Sequence, residues 1–187
     1  MDSGKTAASC AIVGRLRHLG LQVSACKATG VSLRRDILAM EDAGAGETMI
    51  FSDLGIVTTT ADNGPALTKS LLNHLALNKP DVIVLELGDG LLGAYGVEAI
   101  LSDAAIRKAM TAVILCANDP VSAWGGTRLL REQFDIEPAV VTGPATDNAV
   151  GVDQITERMA LPAINALSNG VALGDLVAEL LQKEKAA

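Results

Sequence analysis

Apolar residues follow two different spacings along the chain, and together they predict strands that alternate with helices. Short continuous apolar runs are typical of strands that are buried on both faces. We predict such strands at residues 21–28, 81–86, 111–117 and 139–142. Because segments with helical spacing separate them, the pattern indicates βαβ units and an α/β fold with a mainly parallel central sheet.

The helical segments have apolar residues that recur every three or four positions, as Leu67, Leu71 and Leu75 do. We predict a loop entering a short helix at 31–42, and helices at 4–19, 65–78, 97–109 (in one or two pieces), 120–134, 152–159 and 173–183. Residues 51–60 are less regular, with a short extended piece predicted at 55–57, and residues 163–167 fit either a strand or a turn. We expect residues 1–187 to form a single domain.

The composition narrows the classes of partner. Acidic residues outnumber basic ones by 22 to 15, for a net charge of −7, and only 2% of the residues are aromatic. Nucleic-acid binding favours the opposite charge and stacks bases on aromatic side chains, so we expect no nucleic-acid partner. No apolar run approaches the roughly 20 residues that span a membrane, so we expect no membrane partner. Cys10, Cys26 and Cys116 have no paired or metal-like spacing, and we expect reduced core cysteines in a cytoplasmic protein.

The first predicted helix begins with the end of a phosphate-binding motif. Gly4-Lys5-Thr6 matches the last three residues of the P-loop pattern. Gly4 lets the backbone approach phosphate groups, Lys5 neutralises the charge of the β- and γ-phosphates, and the Thr6 hydroxyl can bind Mg²⁺. The amino terminus of the helix adds its dipole and its backbone N–H groups. We predict a nucleotide site formed by Ser3, Gly4, Lys5 and Thr6, with Thr6 also a metal ligand.

The full P-loop pattern is longer than the part that this numbering includes. Its first glycine stands five residues before Gly4, ahead of Met1, and a strand precedes that glycine. We therefore expect a longer protein whose internal methionine is Met1, so that the first strand and the start of the phosphate loop are missing from this chain. The alternative is a helix that carries Lys-Thr in its first turn by chance.

A second candidate site follows the predicted strand at 81–86. This strand ends in Glu86, and Gly88-Asp89-Gly90 comes next, which is a Walker B-like arrangement. A carboxylate at the end of such a strand can hold Mg²⁺, directly or through water. We predict Glu86 as the metal ligand, with Asp89 as the second choice. The alternative is that Glu86 only caps the loop.

Further polar residues follow the ends of other predicted strands, where parallel sheets bind their ligands. Lys27 would point toward the phosphates or a second substrate, the alternative being a solvated lysine. Asp53 could complete the metal shell, and Asp36 and Asp42 lie in the same region; surface placement is an equal alternative for each. Asn118 could read the adenine edge, the alternative being a simple turn.

Five segments together carry a family resemblance. They are MDSGKT at 1–6, KATG at 27–30, DAGA at 42–45, FSDLG at 51–55 and ELGDGLL at 86–92. In this combination, the chain resembles the DUF1611-type P-loop proteins, which are similar to dethiobiotin synthetase and share a dimerising P-loop class with MinD-like ATPases. The resemblance reaches to about residue 118. It implies a three-layer P-loop NTPase fold, ATP and Mg²⁺ as cofactors, and a homodimer.

The resemblance also implies roles for single residues. Dethiobiotin synthetase uses ATP and Mg²⁺ to carboxylate a diamine and close a ring. Lys5 and Thr6 would take the phosphates and the metal. Lys27 matches the synthetase's second active-site lysine. Glu86 matches a metal-binding glutamate, and Asp53 would be the other acidic ligand.

The same segments depart from dethiobiotin synthetase on the substrate side. Lys27 is followed by Ala28 where the synthetase has proline, and Leu-Gly-Asp-Gly at 87–90 replaces Gly-Ala-Gly-Gly. We therefore expect a small-molecule substrate other than the diamine of the synthetase.

Three functions are compatible with these residues. The first is an ATP-dependent enzyme of ligase or kinase type, with Lys5 and Lys27 as catalytic residues and Lys27 stabilising an anionic transition state. The second is a MinD-like regulatory or assembly ATPase that acts on a protein partner. That class usually carries a lysine early in its phosphate loop, and Met-Asp-Ser at 1–3 has none, which favours the enzyme. The third is a non-catalytic nucleotide-binding domain.

Overall fold

Short parallel strands alternate with helices throughout residues 2–186, which are the residues that the structure, a computed structural model, describes. The helices are α1 (Lys5–His18), α2 (Arg34–Asp42), α3 (Gly64–Ala76), α4 (Val97–Ser102), α5 (Ala104–Lys108), α6 (Pro120–Phe134), α7 (Ala149–Met159) and α8 (Gly170–Ala186). The strands are β1 (Val23–Thr29), β2 (Glu47–Ile50), β3 (Val82–Leu87), β4 (Ile114–Cys116) and β5 (Val140–Thr142). Two short 3₁₀ helices cover Phe51–Leu54 and Pro144–Thr146.

These elements group into two compact units. The first unit contains Val13–Ala109, and the second contains Asp2–Ile12 together with Met110–Ala187. The first half of α1 therefore belongs to the second unit, and the rest of α1 to the first. Each unit has its own small parallel sheet.

The first unit is built on a three-stranded sheet in the order β2-β1-β3, in which both pairings are parallel. Every residue of the central strand β1 is buried, because α2 and α3 both contact it. The apolar stripe of α3 is buried through Leu67, Leu71 and Leu75. It packs in a cluster with Ile50, the last residue of β2, and Phe51, the first residue of the 3₁₀ helix that follows. Full burial of each such side chain contributes about 1.5–3 kcal/mol, so this cluster holds the sheet and its helices together.

The second unit pairs β4 with β5, again in parallel, and an isolated parallel bridge adds Ala163 beside Val141. The helices that follow these strands begin at defined caps. Asp119 accepts the backbone N–H of Ser122 at the start of α6, and Asn148 accepts that of Gly151 at the start of α7. Such caps satisfy N–H groups that have no partner within the helix, and so they fix where each helix starts.

Most of the predicted elements are confirmed, with differences of a few residues at their ends. The predicted helix at 97–109 consists of two pieces, α4 and α5, since Asp103 ends one and caps the next. One prediction is wrong, since the extended piece expected at 55–57 is turn and irregular chain. The strand β2 was not predicted. Residues 163–167 form one bridge followed by turns.

Two further expectations concern the cysteines and the membrane. Cys26 is buried, whereas Cys10 and Cys116 are half-buried, and all three are free thiols. Within residues 2–186, none of the helices combines the length and the apolar character that crossing a membrane requires.

Candidate functional site

The start of α1 lies against the carboxyl ends of β4 and β5, within the second unit. Gly4 has a left-handed φ of 82°, which favours glycine, and its carbonyl accepts the N–H of Ala8 at 2.9 Å. Gly143 follows β5, and a Cβ added there would collide with the carbonyl oxygen of Ser3 and lie 2.9 Å from that of Ala117. Only glycine at position 143 therefore allows the chain at Ser3 to come this close to both strand ends.

Lys5 and Thr6 form the first turn of α1 at this place. Lys5 is half-buried, and its Nζ donates to the Ser3 hydroxyl at 3.3 Å. No acidic residue stands in the first turn, so the positive end of the helix dipole is not offset there by a carboxylate of that turn. A lysine ammonium, a threonine hydroxyl and the N–H groups of a helix start are together the groups that bind an anion such as phosphate.

Asn118 is in the same unit and follows β4. It is exposed, and its backbone N–H donates to the Ser122 hydroxyl at 3.1 Å. Asp119 also accepts the Ser122 N–H, at 2.7 Å, so the turn that carries Asn118 is fixed by the cap of α6. Asn118 therefore lies in a turn, as the alternative expected, and the neighbouring Asp119 caps α6. Recognition of a nucleotide base by Asn118 stays a prediction.

Lys27 is the centre of a buried charged cluster in the first unit. It stands on β1 opposite Glu86 of β3, and its Nζ lies 3.8 Å from Glu86 Oε1. Its Nζ also donates to Asp36 Oδ2 in the first turn of α2. The side chains of Lys27, Glu86 and Asp36 are only 7%, 3% and 13% exposed. The alternative of a solvated lysine is therefore wrong, and Lys27 is held between two carboxylates.

The glycine-rich loop after β3 contacts the carboxyl end of β1. The Thr29 hydroxyl donates to the carbonyl of Gly88 at 3.1 Å, and a Cβ at Gly88 would come within 2.5 Å of the Thr29 carbonyl oxygen. The strand register shifts between Lys27 and Thr29 at this point. Asp89 follows with a φ of 74°, which is uncommon for a residue other than glycine. Residues in this conformation occur in turns and at functional sites.

Asp53 has structural partners on both of its carboxylate oxygens. Oδ2 accepts the Ile50 N–H at 3.0 Å and caps the 3₁₀ helix at Phe51–Leu54, while Oδ1 pairs with Arg34 at 2.7 Å. These two partners fix the orientation of the Asp53 carboxylate and leave one lone pair on each oxygen. Among the residues that the structure describes, no group of three or more His, Cys, Asp or Glu side chains could hold a metal by itself. Mg²⁺ needs no such cage, since it commonly uses one or two carboxylates, water and substrate phosphates.

The sequence pattern did not identify Asp36, in preference to Asp42 and Asp53, as the acidic residue that contacts Lys27. Its position in the following helix could have identified it. Asp36 lies in the first turn of the helix that follows Lys27's strand, and that turn returns to the carboxyl end of the strand. An acid at that position is within reach of a side chain at the strand end, whereas Asp42, at the last turn of α2, is exposed.

Comparisons with known proteins bear on the fold. No protein-family model matches the chain and no curated protein does. Among solved structures, the chain is similar to chloroplast FtsY from Physcomitrella patens, with a TM-score of 0.56 and 14% sequence identity. The match covers 97% of this chain and 62% of that one, so this chain spans less than two thirds of the length of the FtsY structure.

The fold is P-loop NTPase-like. This confirms the predicted fold class, in which a parallel sheet is combined with helices, and with it the coarser part of the family resemblance. At this identity the likeness shows the fold alone. Whether the chain binds a nucleotide or a metal, and which reaction it catalyses, has to be argued from the residues described above.

Proposed function

We propose that the chain binds ATP with Mg²⁺ and uses it in a ligase- or kinase-type reaction on a small molecule. One observation carries the proposal: Gly4-Lys5-Thr6 begins α1 directly at the carboxyl ends of β4 and β5, where Gly143 makes room for the chain. Ligands of parallel α/β sheets bind at this end of the strands. A helix start that also carries Lys5 and Thr6 is suited to a triphosphate in particular.

The residues take separate roles in this proposal. The backbone of Ser3 and Gly4 faces the phosphates, Lys5 balances their charge, and Asn118 contacts the base. Thr6 is the hydroxyl ligand of Mg²⁺ in this proposal, and the roles of Glu86 and Asp53 as metal ligands stay predictions from the sequence. The metal, when bound, neutralises charge on the transferred phosphoryl group.

The buried cluster supports an enzymatic role for Lys27. A lysine that is 7% exposed and held by Asp36 and Glu86 keeps a fixed position in a place from which water is largely excluded. Positive charge that is positioned before the reaction stabilises an anionic transition state without having to reorganise. The loop at Gly88 is held to Thr29 at the same end of the strands, which supports this role for Lys27.

Calorimetric titration of the 187-residue chain with ATP and with GTP, each with and without Mg²⁺, tests the binding step. Lys5→Ala removes a charged contact worth about 1.5–3 kcal/mol, so we expect the affinity to fall roughly 10- to 100-fold. Lys183→Ala, at an exposed position of α8, is the matched control and should bind like the wild type. The proposal fails if neither nucleotide binds, or if both variants bind equally well; preference for GTP would contradict the assignment of ATP.

Turnover tests the enzymatic step separately. We expect ATP consumption by the wild type to be stimulated by an acceptor from a panel of small amines, alcohols and carboxylates. Lys27→Met should lose at least about a hundredfold in the stimulated rate, as removal of a positioned electrostatic group does, while its affinity for ATP stays within a few-fold. ATP consumption that no acceptor stimulates, but that a protein partner does, would favour the regulatory ATPase instead.

A further inference from the structure

Asp36 differs from its neighbours in the first turn of α2 because its side chain is largely buried. The side chains of Arg34 and Arg35 are 63% and 81% exposed, whereas that of Asp36 is 13% exposed. Asp36 Oδ2 accepts a hydrogen bond from Lys27 Nζ. Burying a carboxylate is unfavourable unless it is paired, so this placement depends on Lys27. Asp36 therefore belongs to the charged cluster at the end of β1 rather than to the exposed surface of α2.

The two carboxylates of this cluster contact the ammonium group in different ways. Asp36 is within hydrogen-bond distance of Lys27 Nζ, whereas Glu86 Oε1 lies 3.8 Å from it, the distance of an ion pair without a hydrogen bond. A hydrogen bond fixes a direction, while the attraction between two separated charges depends mainly on their distance. The direction of the ammonium group is therefore set by Asp36, and Glu86 contributes charge.

The helix α2 begins without the cap that its own acidic residue could provide. An acidic residue three positions after the N-cap residue can accept that residue's backbone N–H, as Asp53 does from Ile50 at 3.0 Å. Asp36 stands three positions after Leu33, the N-cap residue of α2, but the Leu33 N–H donates to the Val31 carbonyl at 2.9 Å. Leu33 has no side-chain cap hydrogen bond. The Asp36 carboxylate thus serves the cluster and not the helix that carries it.

Two contacts hold the start of α2 in place. The Ser32 hydroxyl donates to the Ser52 hydroxyl at 2.8 Å, and Arg34 Nη1 donates to Asp53 Oδ1 at 2.7 Å. Both acceptors belong to the 3₁₀ helix that follows β2. The backbone at Asp36 is therefore attached to a neighbouring element on the same side of the sheet, so that its carboxylate has a defined position.

We propose that Asp36 is a positioning residue for Lys27, an inference that rests on the proposed function. A lysine ammonium group has three N–H groups, of which Asp36 accepts one. By fixing that one, Asp36 presents another N–H group to the anionic transition state in a single direction. A group that is oriented before the reaction loses no rate to reorientation. Glu86 is not needed for this orientation.

The side-chain ¹⁵N–¹H signal of the Lys27 ammonium group measures its order without any reaction. The order parameter of this group is compared between variants whose backbone spectra show that they are folded. We expect a rigid group in the wild type, in Glu86→Gln, and in Asp36→Asn, whose amide oxygen still accepts the hydrogen bond. Asp36→Ala should give a mobile group, because the hydrogen bond is lost. Equal order in Asp36→Ala and the wild type, or loss of order in Glu86→Gln, would overturn the proposal.

Asp36→Asn and Asp36→Glu separate position from charge. Asparagine keeps the accepting oxygen in place and loses the charge, whereas glutamate keeps the charge and moves the oxygen by about 1.5 Å, the length of one added bond. We expect the maximal acceptor-stimulated rate to fall about a hundredfold in Asp36→Glu and to stay within about tenfold of the wild type in Asp36→Asn. The KM for the acceptor and the affinity for ATP should change only a few-fold in both variants.

Asp42→Asn is the matched control, because Asp42 is an exposed carboxylate in the last turn of the same helix. Its loss should change neither the order of the Lys27 ammonium group nor the rate. An active Asp36→Glu together with an inactive Asp36→Asn would show that charge and not position matters, and would overturn the proposal. If the wild type shows no acceptor-stimulated turnover, the proposed function fails, while the spectra still decide whether Asp36 orients Lys27.

Discussion

Lys27 and Glu86 stand opposite each other on neighbouring parallel strands, with Lys27 Nζ 3.8 Å from Glu86 Oε1, and both side chains are buried. Asp36 is the second carboxylate on the same ammonium group. Replacing Lys27 with methionine removes the buried cation that Asp36 and Glu86 share, although Arg35 Nε still lies 3.6 Å from Asp36 Oδ1. Removing one partner of a buried pair typically costs about 3–5 kcal/mol. We expect a loss of that size in the free energy of unfolding, measured by urea denaturation at pH 7.

Lys183→Met is the control for this measurement, because Lys183 is exposed and its replacement should change stability by no more than about 0.5 kcal/mol. A loss below about 1 kcal/mol for Lys27→Met, the value of an exposed pair, would mean that water reaches the cluster. That result would also remove the argument for a preorganised Lys27 in catalysis.

Substitution of Gly143 tests the close approach of Ser3, in the proposed phosphate loop, to the end of β5. Gly143 and Gly20 have nearly the same positive φ, 89° and 87°, but the ψ of −167° at Gly143 lies outside the left-handed helical region. A Cβ at Gly20 would meet nothing within 4 Å, whereas one at Gly143 would collide with Ser3. Gly20→Ala should therefore cost only the backbone strain, about 1–2 kcal/mol.

Gly143→Ala should cost clearly more than Gly20→Ala, because the backbone conformation of Gly143 is nearly restricted to glycine and because Ser3 has to move. The movement of Ser3 should also weaken ATP binding. Thermal denaturation and calorimetry of the two variants measure both effects. Equal stability losses and unchanged ATP affinity would contradict the described contact between Gly143 and Ser3.

The reactivity of the Cys26 thiol tests whether the central strand β1 is buried. Complete burial raises the pKa of its thiol from 9.0 to about 12. In a Cys10→Ser/Cys116→Ser variant, we expect the remaining thiol to be inert to a disulfide reagent at pH 8 until urea unfolds the chain. Reaction of the folded variant at the rate of an exposed thiol would show that β1 opens to solvent.

The same pKa shift gives a dependence of stability on pH. Above pH 9 the unfolded chain loses the Cys26 proton while the folded chain keeps it, so the unfolded state binds fewer protons and stability falls as pH rises. Between pH 9 and about 12, each pH unit costs up to about 1.4 kcal/mol. The contribution is fully present below pH 9 and should disappear in Cys26→Ala, which has no proton to lose.

Substitution of Leu71 and of Leu77 compares the stability contribution of a buried leucine with that of an exposed leucine near the same helix. Leu71 is fully buried between α3 and the sheet, and Leu77 is 74% exposed. Leu71→Ala should lower the free energy of unfolding by about 2–5 kcal/mol, and Leu77→Ala by no more than about 0.5 kcal/mol. Urea denaturation of both variants checks the assignment of the apolar stripe; similar losses would contradict it.

The elements that the sequence predicts well are those whose own residues carry the signal. The run at 82–87 is almost entirely aliphatic, and Leu67, Leu71 and Leu75 repeat at helical spacing, so β3 and α3 follow from local pattern. β2 does not, because Glu-Thr-Met-Ile at 47–50 is half polar and only four residues long. It is a strand because it pairs with β1, more than 20 residues earlier in the chain.

The residues of the candidate site also fall into those that the sequence could identify and those that it could not. Gly4, Lys5 and Thr6 could be singled out from the sequence because the P-loop pattern is contained in consecutive residues at one helix start, and phosphate binding there stays a prediction. Asp36 could not be separated from Asp53, because the difference lies in what each meets after folding: Asp36 meets the buried Lys27, while Asp53 meets Arg34 and the N–H of Ile50. Gly143 was missed for the same reason, since its neighbour Ser3 lies 140 residues away in sequence.

The central claim is that phosphates bind at the start of α1, and amide resonances locate them directly. Two-dimensional ¹⁵N–¹H spectra of the labelled chain are recorded during titration with ATP and Mg²⁺. We predict that the largest shift changes belong to Ser3, Gly4, Lys5, Thr6 and Gly143, and that they are lost in Lys5→Ala. Saturable shift changes confined to residues away from the start of α1, or unchanged in Lys5→Ala, would contradict the account.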